Sequence, residues 1–224
     1  MKATVALFDI DGTLVLTSGA GMRALERAAV EICGVAGATR GIEADGKTDH
    51  LLAAEIAAAL PPGAVDDGFA ERLFAAYVVH LVDEVARSQY RVLPGVEVAI
   101  AAAEACVPAV GLATGNIAHA ARIKLEPGDL WRRFPFGGFG CDAAERPALV
   151  GRAVERAEGR LGRTVPRDEV VVIGDTPRDV HAAHAIGARA VGVATGRYDV
   201  DALRATGADW VVETLEELPG LLAR

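Results

Sequence analysis

Asp9-Ile10-Asp11-Gly12-Thr13, directly after the apolar run Ala3-Thr4-Val5-Ala6-Leu7-Phe8, decides how the rest of the sequence is read. The run is short, holds Val and Phe, and stops at a turn containing Gly12, so it predicts a buried strand. Two carboxylates two residues apart at a strand's end repel, and a cation between them is the simplest relief. Gly12 lets the backbone bend sharply, and a hard cation such as Mg2+ prefers carboxylate and carbonyl oxygens. A calcium loop of the EF-hand type also begins Asp-x-Asp. It needs an acid or amide at position 13 and Glu at position 20, where Thr13 and Ala20 stand. Two readings remain, an acidic turn or one half of a cation site.

Downstream, Met22 to Ile32 has helical spacing after a flexible exit over 14–21. A second helix is predicted from Thr48 or Asp49 to Leu60, stopped by Pro61-Pro62-Gly63. A third begins near Asp66 or Asp67, with Phe69, Leu73, Tyr77, Leu81 and Val85 four apart on one face. From Leu93 onward, apolar strands alternate with helices. Val107–Ala113 ends in Thr114-Gly115-Asn116, and Val170–Ile173 ends in Gly174-Asp175-Thr176-Pro177-Arg178-Asp179. Alternation of this kind predicts an α/β class, a Rossmann-like parallel sheet with helices on both faces. The three-helix block interrupts it, so the expected domains are a core of 1–16 and 92–224 and a helical cap of 17–91. Hinges are expected near 15–19 and 88–94, with the cap as a lid over the sheet edge.

Of the 224 residues, 51% are hydrophobic and 24% charged, enough for a large core. The formal net charge of -8 argues against a nucleic-acid backbone or an anionic membrane as partner. Cys33, Cys106 and Cys141 are odd in number and widely spaced, neither a disulfide framework nor a zinc set. With no signal-peptide pattern and no apolar stretch near the roughly 20 residues of a membrane span, a cytoplasmic location is expected.

Three polar clusters, Asp9/Asp11, Thr114/Asn116 and Asp175/Asp179, each follow a strand, and ligands of an open parallel sheet bind beyond the strands' carboxyl ends. Together these residues resemble the haloacid dehalogenase-like hydrolases. Phe8–Leu14 is similar to that family's first motif, Leu112–Asn116 to its second, and Ile173–Asp179 to its fourth. The helical insert resembles the small cap of the phosphoglycolate phosphatase-like branch, and Gly46-Lys47-Thr48-Asp49 that cap's substrate-facing loop. The third motif is usually a Lys before a helix. Here Arg146 in Glu145-Arg146-Pro147 takes that place, ahead of Lys124, which lies inside the helix after the second motif.

The resemblance implies a Mg2+-dependent phosphatase of small phosphorylated metabolites. Asp9 is the implied nucleophile, and Asp11 the acid and base. Thr114 with the N–H groups of Gly115 and Asn116 would bind phosphate, and Arg146 would supply charge. Asp9, Asp175 and the Asp11 carbonyl would hold the metal, with Asp179 in support, and Lys47 and Thr48 would meet the substrate from the cap. On this reading Arg146→Ala lowers turnover by orders of magnitude and Lys124→Ala does little. A dehalogenase lacks the second acid of the first motif, so Asp11 speaks against that activity. A phosphomutase keeps it.

Overall fold

In the computed structural model, which describes residues 2–223, β1 (Val5–Phe8) is buried along its whole length and divides two cores. Ala6 and Phe8 face one apolar cluster, while Val5 and Leu7 face the other, as a two-residue side-chain period requires. The remaining elements in order are β2 (Val15–Leu16), α1 (Ala20–Cys33), α2 (Asp49–Ala59), α3 (Phe69–Ala86) and β3 (Arg91–Val92). Then come α4 (Val96–Cys106), β4 (Ala109–Ala113), α5 (Ala118–Leu125), β5 (Gly137–Gly138) and α6 (Arg146–Leu161). The chain closes with β6 (Val170–Gly174), α7 (Pro177–Ala185), β7 (Arg189–Val193), α8 (Val200–Ala205), β8 (Trp210–Val212) and α9 (Leu218–Leu222).

Six strands form one parallel sheet in the order β5-β4-β1-β6-β7-β8. The expected Rossmann-like α/β architecture is therefore present. Because β1 lies between β4 and β6, Phe8 stands opposite both Leu112 and Ile173. The residues following those positions leave the sheet side by side. The chain runs outward from β1 to β4 and β5, then returns to β6 on the other flank. That reversal opens a crevice at the carboxyl end of the central strand.

α1, α2 and α3 share an apolar cluster that also takes in Ile117 and Ala120 at the start of α5, with Leu25, Ile56, Leu73, Tyr77 and Leu81 at most 1% exposed. All five residues expected on the inward face of α3 are buried. One local reading changes. The stretch 14–21 is not a loose exit, because Val15–Leu16 pairs antiparallel with Arg91–Val92. Two residues are too few for alternation to register in sequence, and only the return of the chain supplies the partner. No helix of the described residues is long and apolar enough to cross a membrane.

Candidate active site

Asp9 leaves β1 with its N–H donated to the Ile173 carbonyl at 2.9 Å, so the sheet ladder still fixes its backbone. Gly12 (φ 82°) turns the chain immediately afterwards, and its carbonyl accepts the Thr195 hydroxyl at 2.7 Å. A Cβ on Gly12 would overlap the carboxylate of Asp175, which follows β6 and takes a hydrogen bond from Thr13 Oγ1 at 3.1 Å. Asp9, Asp175 and Asp179 are all buried, each offering a carboxylate oxygen within 4.8 Å of the others.

One guanidinium faces these three acids. Arg146, at the first turn of α6, donates from Nη2 to Asp9 Oδ1 at 3.0 Å and to Asp179 Oδ1 at 2.5 Å. Asp179 Oδ2 accepts from the Thr176 N–H and hydroxyl, closing a capping box on α7, so both of its oxygens are engaged. Burial raises the Asp9 carboxyl to about 7, against the pull of Arg146, and raises that of Asp175 well above the ordinary range. One positive charge does not balance three buried carboxylates, and a second cation would.

Across from this cluster, Asn116 Nδ2 donates 2.8 Å bonds to Asp11 Oδ2 and to Thr114 Oγ1. The Thr114 hydroxyl keeps its own hydrogen. Lys124 is the correction here. Its ammonium reaches Asp11 Oδ2 at 2.7 Å and Asn116 Oδ1 at 2.6 Å, with the side chain only 7% exposed. Lys124, expected to matter little beside Arg146, lies at the site because α5 points its second turn back toward the first loop. The sequence held a signal for this. Ala120, Ala121, Lys124 and Leu125 form the buried stripe of α5, and a lysine on such a stripe needs a partner.

The loop 46–49 is pressed onto the core. Asp49 N–H donates to the Gly115 carbonyl at 2.8 Å, and Asp49 Oδ2 accepts the Ile117 N–H at 2.8 Å. Arg146 Nη1 donates to the Gly46 carbonyl at 2.9 Å, and a Cβ on Gly46 would overlap Thr176 Oγ1. Thr48 caps α2 as expected, accepting from the Leu51 N–H. Its hydroxyl donates to the Ala144 carbonyl, and Thr48 does not line the cavity, so the geometry withdraws it from the substrate-facing set. Lys47 does line the cavity, but its ammonium is paired with Glu55 at 2.6 Å. Asp49, expected as a cap and as the end of the substrate-facing loop, is a buried carboxylate whose pKa burial raises to about 6.

A single cavity of about 400 Å³ connects these parts. Asp9, Asp11, Thr114, Gly115, Asn116, Lys124, Arg146 and Asp175 stand at its floor, and residues of α1, α2 and α3 form its roof. Such a chamber can hold an anion between Arg146 and the 114–116 loop, with a carboxylate on either side.

The HAD-hydrolase-like family model matches residues 146–218, the segment holding Arg146, Asp175 and Asp179. Probable phosphatase IndB of Dickeya dadantii (strain 3937) is 29% identical over 232 residues, spanning 98% of this chain and 93% of that protein. A hydrolase from Pseudomonas syringae shares the fold at a TM-score of 0.70 and 24% identity, over 98% of each chain. A predicted phosphoglycolate phosphatase from Haemophilus somnus 129PT does so at a TM-score of 0.72 and 16% identity, over 99% of this chain and 98% of that one.

Proposed function

We propose that this chain is a phosphatase of the haloacid dehalogenase-like hydrolases, hydrolysing small phosphomonoesters through an aspartyl-phosphate on Asp9 and requiring Mg2+. The observation that carries this reading is the buried set Asp9, Asp175 and Asp179 against a single Arg146, at the floor of the cavity. The Asp9 and Asp175 carboxylates and the Asp11 carbonyl are hard oxygen donors that fit Mg2+, while Asp179, with both oxygens bonded, steadies Arg146. Bound there, the ion offsets the repulsion between nucleophile and phosphate.

Asp9 attacks phosphorus as the ester P–O bond breaks, and the alkoxide takes its proton from Asp11. Thr114 and the Gly115 and Asn116 N–H groups hold the phosphoryl oxygens, and Arg146 stabilises the charge that develops on them. Asp11 then takes a proton from the water that cleaves the acyl phosphate on Asp9, returning both carboxyls to their starting states. Residues 17–91 act as the cap, hinged at the β2–β3 ribbon, and exclude water while the ester is bound.

The direct test is phosphate release from a panel of phosphomonoesters with Mg2+ and with chelator. Release that is indifferent to chelation overturns the metal requirement, and no release from any ester overturns the reading. A second measurement is the rise in Tm on adding Mg2+. An acid whose folded pKa is raised costs stability when it ionises, as pH climbs from the ordinary carboxylate range through about 7 for Asp9. The ion offsets that cost where the acids are charged, whereas at lower pH a proton must leave first. The shift in Tm is expected to be larger at pH 8 than at pH 6, and equal shifts would argue against binding at this cluster.

Gly196, in the loop after β7, supports the same cluster. A Cβ there would overlap Asp175 Oδ2. Gly196→Ala is expected to raise the Mg2+ concentration for half-maximal activity by about tenfold or more, since displaced carboxylates bind metal poorly. A titration of activity against Mg2+ measures this, and an unchanged midpoint would place the ion elsewhere.

A further inference from the structure

Above the acid cluster the cavity changes character. Leu16, Met22, Leu25, Leu52 and Tyr77 line its roof, and the last three of these are at most 5% exposed. Two of the cations on that side are already matched. Lys47 lies 2.6 Å from Glu55, and Arg197 lies 2.8 Å from Asp45 and 3.3 Å from Glu43. Arg91 also lines the cavity, but it is exposed on the ribbon, where water screens its charge. Two buried charges border the roof, the Asp49 carboxylate at the first turn of α2 and the Lys124 ammonium beside Gly21 of α1, and the ammonium is already held by Asp11 and Asn116. A carboxylate or second phosphate on a substrate would therefore meet apolar side chains and a like charge, with no unpaired buried cation to receive it.

We propose that the esters this site takes carry a neutral leaving group with an apolar or aromatic body, seated against Met22, Leu25, Leu52 and Tyr77. The proposal rests on the phosphatase reading and names its substrate class. The floor groups treat every phosphomonoester alike, so discrimination falls to the roof. A ring placed there removes apolar surface from water on both partners, whereas a short acidic leaving group removes little and loses its own hydration. Tyr77 Oη and the Asp49 carboxylate remain to meet hydroxyl or N–H groups on the body. These two polar groups beside Leu16, Met22, Leu25 and Leu52 suit a largely apolar alcohol better than a sugar with a hydroxyl on every carbon.

Benzyl phosphate and 2-phosphoglycolate make the comparison, since both are primary alkyl esters and differ chiefly in the group under the roof. With Mg2+ present, kcat/KM is expected to be about tenfold to a hundredfold higher for benzyl phosphate. Calorimetric binding to the Asp9→Asn protein, where no chemistry follows, is expected to rank the two ligands in the same order. Glu55→Gln, at a partly exposed carboxylate outside the cavity lining, frees the Lys47 ammonium. It is expected to raise kcat/KM for 2-phosphoglycolate several-fold while leaving benzyl phosphate unchanged. If 2-phosphoglycolate binds and turns over as well as benzyl phosphate or better, the apolar roof is not the selector, and the phosphatase reading survives. If benzyl phosphate binds in preference but neither ester releases phosphate, the chamber stands and the reaction assigned to Asp9 falls. Failure of both to bind overturns the proposal.

Discussion

Asp9→Asn is expected to abolish phosphate release while leaving the protein folded, with a Tm equal to the parent's or higher. The carboxylate of Asp9 is buried beside Asp175 and Asp179, and burial already raises its pKa to about 7. Replacing it by a neutral, nearly isosteric amide removes a repulsion from that crowd, and the amide oxygen can still accept the bond from Arg146. Stability is therefore not at risk. Chemistry is, because an amide oxygen is a weak nucleophile and a weak ligand for a hard cation. Turnover should fall by roughly three orders of magnitude or more, the scale seen when a nucleophile is removed. Phosphate release and a thermal melt on the same preparation measure both halves. A folded variant that keeps more than a few per cent of Mg2+-dependent activity would remove Asp9 from its role.

The second large effect separates two cations on opposite sides of the site. Arg146→Ala leaves three buried carboxylates facing one another, so it should cost both activity and about 3–5 kcal/mol of stability in the absence of metal. Lys124→Ala should act differently. Asp11 is 42% exposed on its side chain, and water can take up the ammonium's place there, so the melt should move much less. What is lost is the hold on Asp11. Lys124 and Asn116 converge on Asp11 Oδ2, and Lys124 also fixes the Asn116 amide through its Oδ1. On the proposed mechanism Asp11 protonates the departing oxygen, a contribution of about 100-fold or more. An alkyl ester needs that proton, and 4-nitrophenyl phosphate, which leaves as a stable phenolate, does not. Lys124→Ala should lower kcat by about two orders of magnitude on benzyl phosphate and only slightly on 4-nitrophenyl phosphate. Equal losses on both would mean that Lys124 serves phosphate binding instead of Asp11, and the absence of any loss would return it to a packing role.

Much of this architecture could be read along the chain. The alternation of apolar strands with helices, together with Gly12 and Gly174 after β-rich runs, placed Asp9, Thr114, Asn116 and Asp175 at strand ends, and a parallel sheet brings strand ends together whatever fills the loops. Arg146 was legible through the resemblance to the family's third motif, at the start of a helix with Pro in its first turn. The two charges whose partners could not be read share another property. Asp49 leads the buried stripe Leu52, Ala53 and Ile56 of α2, and Lys124 interrupts the buried stripe of α5. Helical spacing alone marks such residues as facing inward, which is a statement about burial and not about company. Whether a buried lysine meets a carboxylate depends on where α5 lands relative to the Asp11 turn, more than a hundred residues away in sequence. The tertiary structure decided that Lys124 meets Asp11 and that Thr48 turns to Ala144. It also paired Lys47 with Glu55, although both lie within one helical element and its approach. Local sequence determines which side chains must find partners, because leaving a charge buried and unpaired is costly; only the closed fold determines which partner lies within 3 Å.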